Sequence, residues 1–276
     1  MTSATTMKHK SLIYAVWAFL LLLAPCKLYC QGNNSTADGT TIEKSVEIGI
    51  GGTNRLDTYL SPQDYHGTGV LFASDVLRSR PNKWDLQFTH LGSIDYTRNN
   101  AENTHTLAGH YDFTFAMMHR WNNLADGNLR IRLGGMTNLY LGFAYNMRNS
   151  SNNPAQAYAS LDIGGAGIAD YDLHLWNRTF TIRYEAALPL CDIMFSPAYG
   201  QSYYELFAEG NYDSNIVFNS IATPSFRQQL TVYIPTGSAT SLSIGYLGDI
   251  RQAKPNSLRQ HVYCNAFVVG ICKKLK

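Results

Sequence analysis

Charge, cysteine and long apolar runs are all scarce in this chain, and each scarcity removes a class of protein. Only 15% of the residues are charged, with 22 Lys and Arg against 20 Asp and Glu. That balance offers no basic footprint for nucleic acid. Beyond Ala24 there is no run of 18 consecutive apolar residues, so no transmembrane helix is predicted after the leader. Of five cysteines, Cys26 and Cys30 lie at the end of the leader, after its apolar core. Cys264 and Cys272 fall on one predicted strand, about 26 Å apart at its ~3.3 Å rise, far beyond disulfide reach. With Cys191 they leave an odd count, which argues against a disulfide framework. No Cys or His cluster has metal-ligand spacing, and no glycine loop resembles a phosphate cradle, so neither metal nor cofactor is predicted.

The N-terminus carries an address. Lys8 and Lys10 precede an apolar stretch, Ser11 to Ala24, that is too short to span as a helix and fits a secretory signal peptide. Pro25, Cys26 and Lys27 end it, and cleavage after Cys30 leaves Gln31 first. Lipoprotein processing favours a small residue before the cysteine. Pro25 and Tyr29 are not small, so the soluble-type signal is preferred. Cleavage removes three lysines and no acid, taking the net charge from +2 to −1.

What the chain has in abundance is alternation. Leu107, Tyr111, Phe113, Phe115, Met117 and Trp121 alternate with Ala108, His110, Asp112, Thr114 and Arg120. After a polar turn, Asn122 to Asn128, Leu129, Ile131, Leu133, Leu139, Leu141, Phe143 and Tyr145 alternate with Arg130, Arg132, Asn138 and Asn146. Side chains on a strand point to opposite faces with period two, so these are two long antiparallel strands with one apolar and one polar face. Their length suits tilted strands crossing a bilayer, which needs about 9–11 residues plus an extension. The predicted fold is all-β, an up-and-down antiparallel transmembrane β-barrel.

Ten strands are predicted: Lys44–Asn54, Thr68–Arg80, Trp84–Arg98, Thr104–Trp121, Asn128–Asn146, Ala155–Tyr171, Arg178–Leu188, Ser225–Pro235, Thr240–Gln252 and Leu258–Lys273. Their connections alternate between short turns and longer loops. Barrels of this kind have short periplasmic turns, longer external loops and an even strand number. Residues 1–30 are then a signal peptide, 31–43 a periplasmic N-terminal segment and 44–276 the barrel, with external loops at Arg55–Gly67 and Pro189–Pro224. Asn215–Ile221 also reads as a strand, and counting it alone makes the number odd. It is placed inside the long external segment, as a strand extension above the membrane. The alternative is twelve strands, with a further one from Ala198–Phe207. Trp84, Trp121 and Trp176 fall at the periplasmic ends, while Tyr65, Tyr96, Tyr145, Tyr199, Tyr203 and Tyr204 fall at or above the opposite rim. Aromatic rings with a polar tip prefer these interfaces.

The inward positions include Asp112, Arg120, Arg130, Arg132, Asp162, Asp170, Arg183, Glu185, Asp249 and Arg251. Mixed signs point to pairing, and a barrel near eight strands is filled by its own side chains, so a polar plug is preferred to a permeation path. Gly164, Gly165 and Gly167 sit mid-strand, where glycine marks a bend or a close approach. A hydrolase needs a nucleophile within reach of a His that a third group orients. His90 and Ser93 face opposite sides of a strand. His105 with Thr106, and His261 with Ser257, fare no better. His110 and Asp112 share a face with no hydroxyl evident beside them, and His119 lies near a membrane end. No catalytic residue is assigned, and the chain is read as a non-enzyme.

The most unusual segment is Phe195–Phe207, aromatic and helix-compatible after Gly200, within a long connection of the kind that often carries function. It is expected to fold over the barrel mouth as a lid, to display a tyrosine-rich surface, or to pack on the rim. This segment, together with Thr53–Pro62 and Asn146–Ser150, resembles a family of secreted Bacteroidetes proteins that is a domain of unknown function. The resemblance covers nearly all of the chain after the leader. It implies a Gram-negative envelope protein and a barrel, and it brings no catalytic residues, cofactor or substrate. Barrels of the outer membrane commonly end on an aromatic residue that the insertion machinery reads, whereas this chain ends Val269 to Lys276, so its signal is expected to be weak or to lie further back, near Phe267.

These features predict an outer-membrane barrel with a largely filled lumen, acting through its external loops in binding, adhesion or envelope support. Its partners are outer-membrane lipid, the insertion machinery and an unknown external ligand. A small-solute channel gated by 189–224, a lipid-modifying enzyme and a soluble periplasmic β-protein are the alternatives.

Overall fold

The computed structural model describes residues 39–275 apart from 148–153, 177, 213, 221 and 222. The predicted signal peptide lies outside the described residues. No described helix is long and apolar enough to cross a membrane.

Eleven strands form: β1 Thr41–Asp57, β2 Ser61–Ser79, β3 Trp84–Asn99, β4 His105–Leu124, β5 Leu129–Asn146, β6 Ala155–Leu175, β7 Arg178–Phe195, β8 Ile216–Asn219, β9 Phe226–Pro235, β10 Thr240–Ala253 and β11 Gln260–Leu275. Successive strands pair antiparallel, except that β8 and β9 both pair with β7, and β1 closes the ring on β11 from Ile42↔Leu275 to Asp57↔Gln260. The short β8 does not add a wall stave. It pairs with the upper part of β7, Asp192–Phe195, while β9 pairs with the lower part, Thr181–Ala187. Together β8 and β9 descend as one interrupted strand, so the wall has ten. This explains why Asn215–Ile221 reads as a strand without upsetting the even count. The twelve-strand alternative is overturned, because Tyr203–Phe207 is a short helix, α1.

Two predicted loops are shorter than expected. β1 and β2 extend to Asp57 and Ser61, so Arg55–Gly67 is a strand hairpin closed by 58–60. Arg55 and Asp57 are buried against the lumen while Gln63, Asp64 and His66 stay exposed, an alternation that continues the strand above the apolar band. β7 likewise runs through Pro189 to Phe195. The register shifts there, from Ile163↔Cys191 to Gly164↔Pro189, and the bulge tolerates a proline that has no amide hydrogen to donate.

The outer face is apolar: Ile48, Ile50, Val70, Leu133, Leu141, Ile163, Ile193, Phe267 and Ile271 are all exposed. A closed barrel satisfies its backbone polar groups between strands, so such a face is compatible with lipid. Trp84, Trp121 and Trp176 are exposed at the rim that carries the tight turns, here the turn rim, as predicted. At the loop rim Tyr96 and Tyr145 point outward, whereas Tyr65 points inward and is buried, its hydroxyl taking a bond from Asn146.

Candidate functional site

Inside the wall, alternate residues meet in layers. All ten charges predicted to point inward do so. At the turn rim a ladder of ion pairs crosses the lumen. Arg120 and Arg132 share Asp85 at 3.0 and 2.7 Å, Arg132 and Arg183 share Asp170 at 2.6 Å each, and Arg183 reaches Glu43 at 2.7 Å. Above it Leu77, Ala116, Met118, Met136 and Ile168 form an apolar layer. Leu71, Ala73, Leu91, Leu247, Ala266 and Val268 form a second. Toward the loop rim, Arg227 binds Asp112 and Asp249 at 3.1 and 3.3 Å, and Arg251 binds Asp112 and lies 4.2 Å above the Tyr140 ring. Arg55 pairs with Asp95 at 3.0 Å. The cavities between these layers are about 50, 60 and 10 Å³, room for a few waters.

The structure corrects one expectation. A hydroxyl does stand beside His110: Ser93 on β3 is its register partner across the β3–β4 hairpin, with Oγ 2.8 Å from Nδ1. The Nε2 of His110 lies 3.5 Å from Asp112. Ser, His and Asp are thus contiguous, yet the geometry suits a buried polar cluster. Ser93 Oγ is also 3.4 Å from Nε2, so it sits between the two ring nitrogens instead of aligning with one. The other Asp112 oxygen is held by Arg227, Arg251 and Asn138. None of the cavities just described is lined by Ser93 or His110. His110, Asp112 and Asp249 also bring ligand-type atoms within 4.8 Å of one another. Arg227 and Arg251 already neutralise both carboxylates, and a cation there would be set against two guanidinium groups.

His90 is turned to the outer face, where it meets the Tyr111 hydroxyl at 2.7 Å. His261 contacts Asn54 at 2.8 Å and stacks on Tyr263, with no part for Ser257. Cys191, Cys264 and Cys272 are free thiols.

The connection between β7 and β8 is an ordered cap. Ser202 and Glu205 make reciprocal capping bonds that start α1 within a single turn. Leu206 is buried beneath it. The Tyr203 hydroxyl donates to Gln156 Oε1 at 2.8 Å and accepts from the Ala157 amide at 2.7 Å, both on β6. On the far side of the mouth the Tyr59 hydroxyl, at the β1–β2 tip, donates to the Gln201 carbonyl at 2.7 Å. Asn256, between β10 and β11, donates to the Ser214 carbonyl at 2.9 Å. The segment therefore spans the rim from β6 to β1 and β11. It packs with one face and displays Tyr199, Tyr204, Phe207 and Tyr212 on the other, so the lid and tyrosine-surface expectations describe two sides of one element.

The barrel has counterparts among solved structures. The outer membrane protease OmpT from Escherichia coli matches with a TM-score of 0.53 at 8% identity, covering 88% of this chain and 99% of that one. The transport unit of the autotransporter AIDA-I from Escherichia coli matches at 0.44 and 9% identity, covering 94% and 97%. Neisserial surface protein A matches at 0.36 and 10% identity, covering 86% and 99%. The first likeness is one of fold, and the other two carry no argument. No curated protein matches the chain in sequence. A family model described as "Protein of unknown function (DUF3316)" matches residues 15–276, and the chain belongs to that family.

Proposed function

We propose that this chain is a non-enzymatic barrel of a Gram-negative outer membrane, delivered by a cleaved signal peptide, that acts through its loop rim in binding, adhesion or envelope support. In this reading the turn rim faces the periplasm and the lid faces outward. The observation that carries it is the lid: it is tied down at three points around the mouth and presents four aromatic side chains to solvent. Exposed tyrosines supply large, rigid contact area at small entropic cost. Outer-membrane lipid and the insertion machinery are its assembly partners, and the external ligand is of unknown identity.

A screen of polysaccharides and envelope proteins over the detergent-solubilised barrel tests this. A binder that is lost in a Tyr199→Ser, Tyr204→Ser, Phe207→Ser triple variant supports it. Binding that survives the triple variant sinks it. A deletion strain with altered lipid A or phospholipid composition would favour the lipid-modifying alternative.

A further inference from the structure

A cavity of about 560 Å³ opens at the turn rim, roughly tenfold larger than the spaces deeper in the lumen. Its wall carries Arg120, Arg130, Arg132, Arg183 and Lys274 against only Glu43 and Asp172. The remaining carboxylates of the ladder, Asp85 and Asp170, lie behind the guanidinium groups at 0% and 1% exposure. Arg130 and Lys274 are 25% and 51% exposed. The ladder is close to neutral as a whole, but the surface it shows to the cavity is cationic.

Donor capacity is left over in the guanidinium groups at and just behind that surface. Arg120 uses Nη1 on Asp85 and Nη2 on the Arg80 carbonyl, and its Nε is buried without a partner. Arg130 grips Asp172 with both Nη atoms, leaving Nε 4.0 Å from Asp170, outside hydrogen-bond range. Of the wall hydroxyls, Ser79 and Thr181 already donate to Asp85 and Asp172, and Thr41 adds a third. The Arg132–Asp170–Arg183 rung closes the inner end, so the cavity is a blind pocket, not a passage. Guanidinium groups already oriented by carboxylates bind planar or tetrahedral oxyanions with little reorganisation.

We infer that this pocket binds a small multivalent oxyanion, a phosphate ester or a polycarboxylate, on Arg120 and Arg130, with Lys274 at its mouth. The site stands whichever rim faces the cell exterior, and it does not involve the lid.

Calorimetric titration of the intact barrel in detergent, at low ionic strength, with sodium pyrophosphate and separately with citrate tests it. Saturable 1:1 binding is expected, weakened about tenfold or more in Arg130→Gln, since charge-assisted bonds are the strong ones. Arg130 sits at the rim, and retention of heat-modifiable gel mobility shows that the variant is folded. If it is not, Lys274→Gln is read in the same way. Binding of pyrophosphate alone identifies the phosphate class, and of citrate alone the polycarboxylate class. Failure of both anions to saturate, or equal affinity in the wild type and the folded variant, overturns the site.

Discussion

Arg132 shows what one residue can do in this lumen. Its Nε donates to Asp85 at 2.7 Å and its Nη1 to Asp170 at 2.6 Å, and both carboxylates are buried. Removing one partner of a buried pair costs about 3–5 kcal/mol, because the other charge stays behind uncompensated. Arg120 still holds Asp85 and Arg183 still holds Asp170, so Arg132→Ala is expected at the lower end, about 3 kcal/mol, read as a fall in urea stability in micelles. Asp57, at the β1–β2 tip beyond the apolar band, gives a pH prediction. Burial pushes its carboxyl above the usual range, opposed by the bonds from the Tyr158 hydroxyl and the Tyr59 amide. A raised folded-state pKa favours the neutral form. Its contribution to stability is therefore full below the ordinary carboxylate pKa and is lost as pH rises through the elevated value. Loop-rim amides, corrected for intrinsic exchange, are expected to be better protected at about pH 4 than at about pH 7. Asp57→Asn should flatten that difference, and a dependence that persists in the variant would refute it.

At the scale of elements, β6 distinguishes two adjacent glycines. A Cβ on Gly164 would lie 2.1 Å from the Leu188 carbonyl oxygen, beside the β7 bulge, whereas one on Gly165 would meet the Gly134 carbonyl oxygen at 3.8 Å, an ordinary van der Waals contact. Gly164→Ala is therefore expected to lower the unfolding midpoint. Gly165→Ala should leave it unchanged or raise it, since alanine loses less chain entropy than glycine, about 0.5–1 kcal/mol. Equal effects at the two sites would show that β6 and β7 are not this close. The lid makes a second prediction. Tyr203→Phe removes one hydroxyl that serves two bonds and strands Gln156 Oε1 and the Ala157 amide. The loss of about 1–3 kcal/mol in docking should speed chymotrypsin cleavage within the lid roughly tenfold or more, with the barrel itself left intact.

For the whole molecule, the ladder, the apolar layers and the lid act in series. A current must pass all of them, so the intact protein is expected to give no stable conductance in planar bilayers. Deleting residues 199–210 should not change that, because the Arg132–Asp170–Arg183 rung and the Leu77–Ile168 layer remain. A steady pore in the deletion variant, absent from the wild type, would establish the gated-channel alternative.

Period-two alternation was enough to place ten wall strands, their order and the inward set of charges, because a side chain's face on a strand follows from its position alone. The tryptophans and the tight turns marked one rim on the same grounds. Pairing across strands was not legible in the same way. Ser93 and His110 are 17 residues apart and meet only because the β3–β4 register sets them opposite each other. Counting back symmetrically from the 100–104 connection is the signal that could have found them. The split of one descending strand into β8 and β9, and the blind cationic pocket, depend on a bulge and on closure of the ring. Sequence determined which face each residue takes. Tertiary structure alone decided which residues share a layer, because register and closure are properties of the assembled sheet.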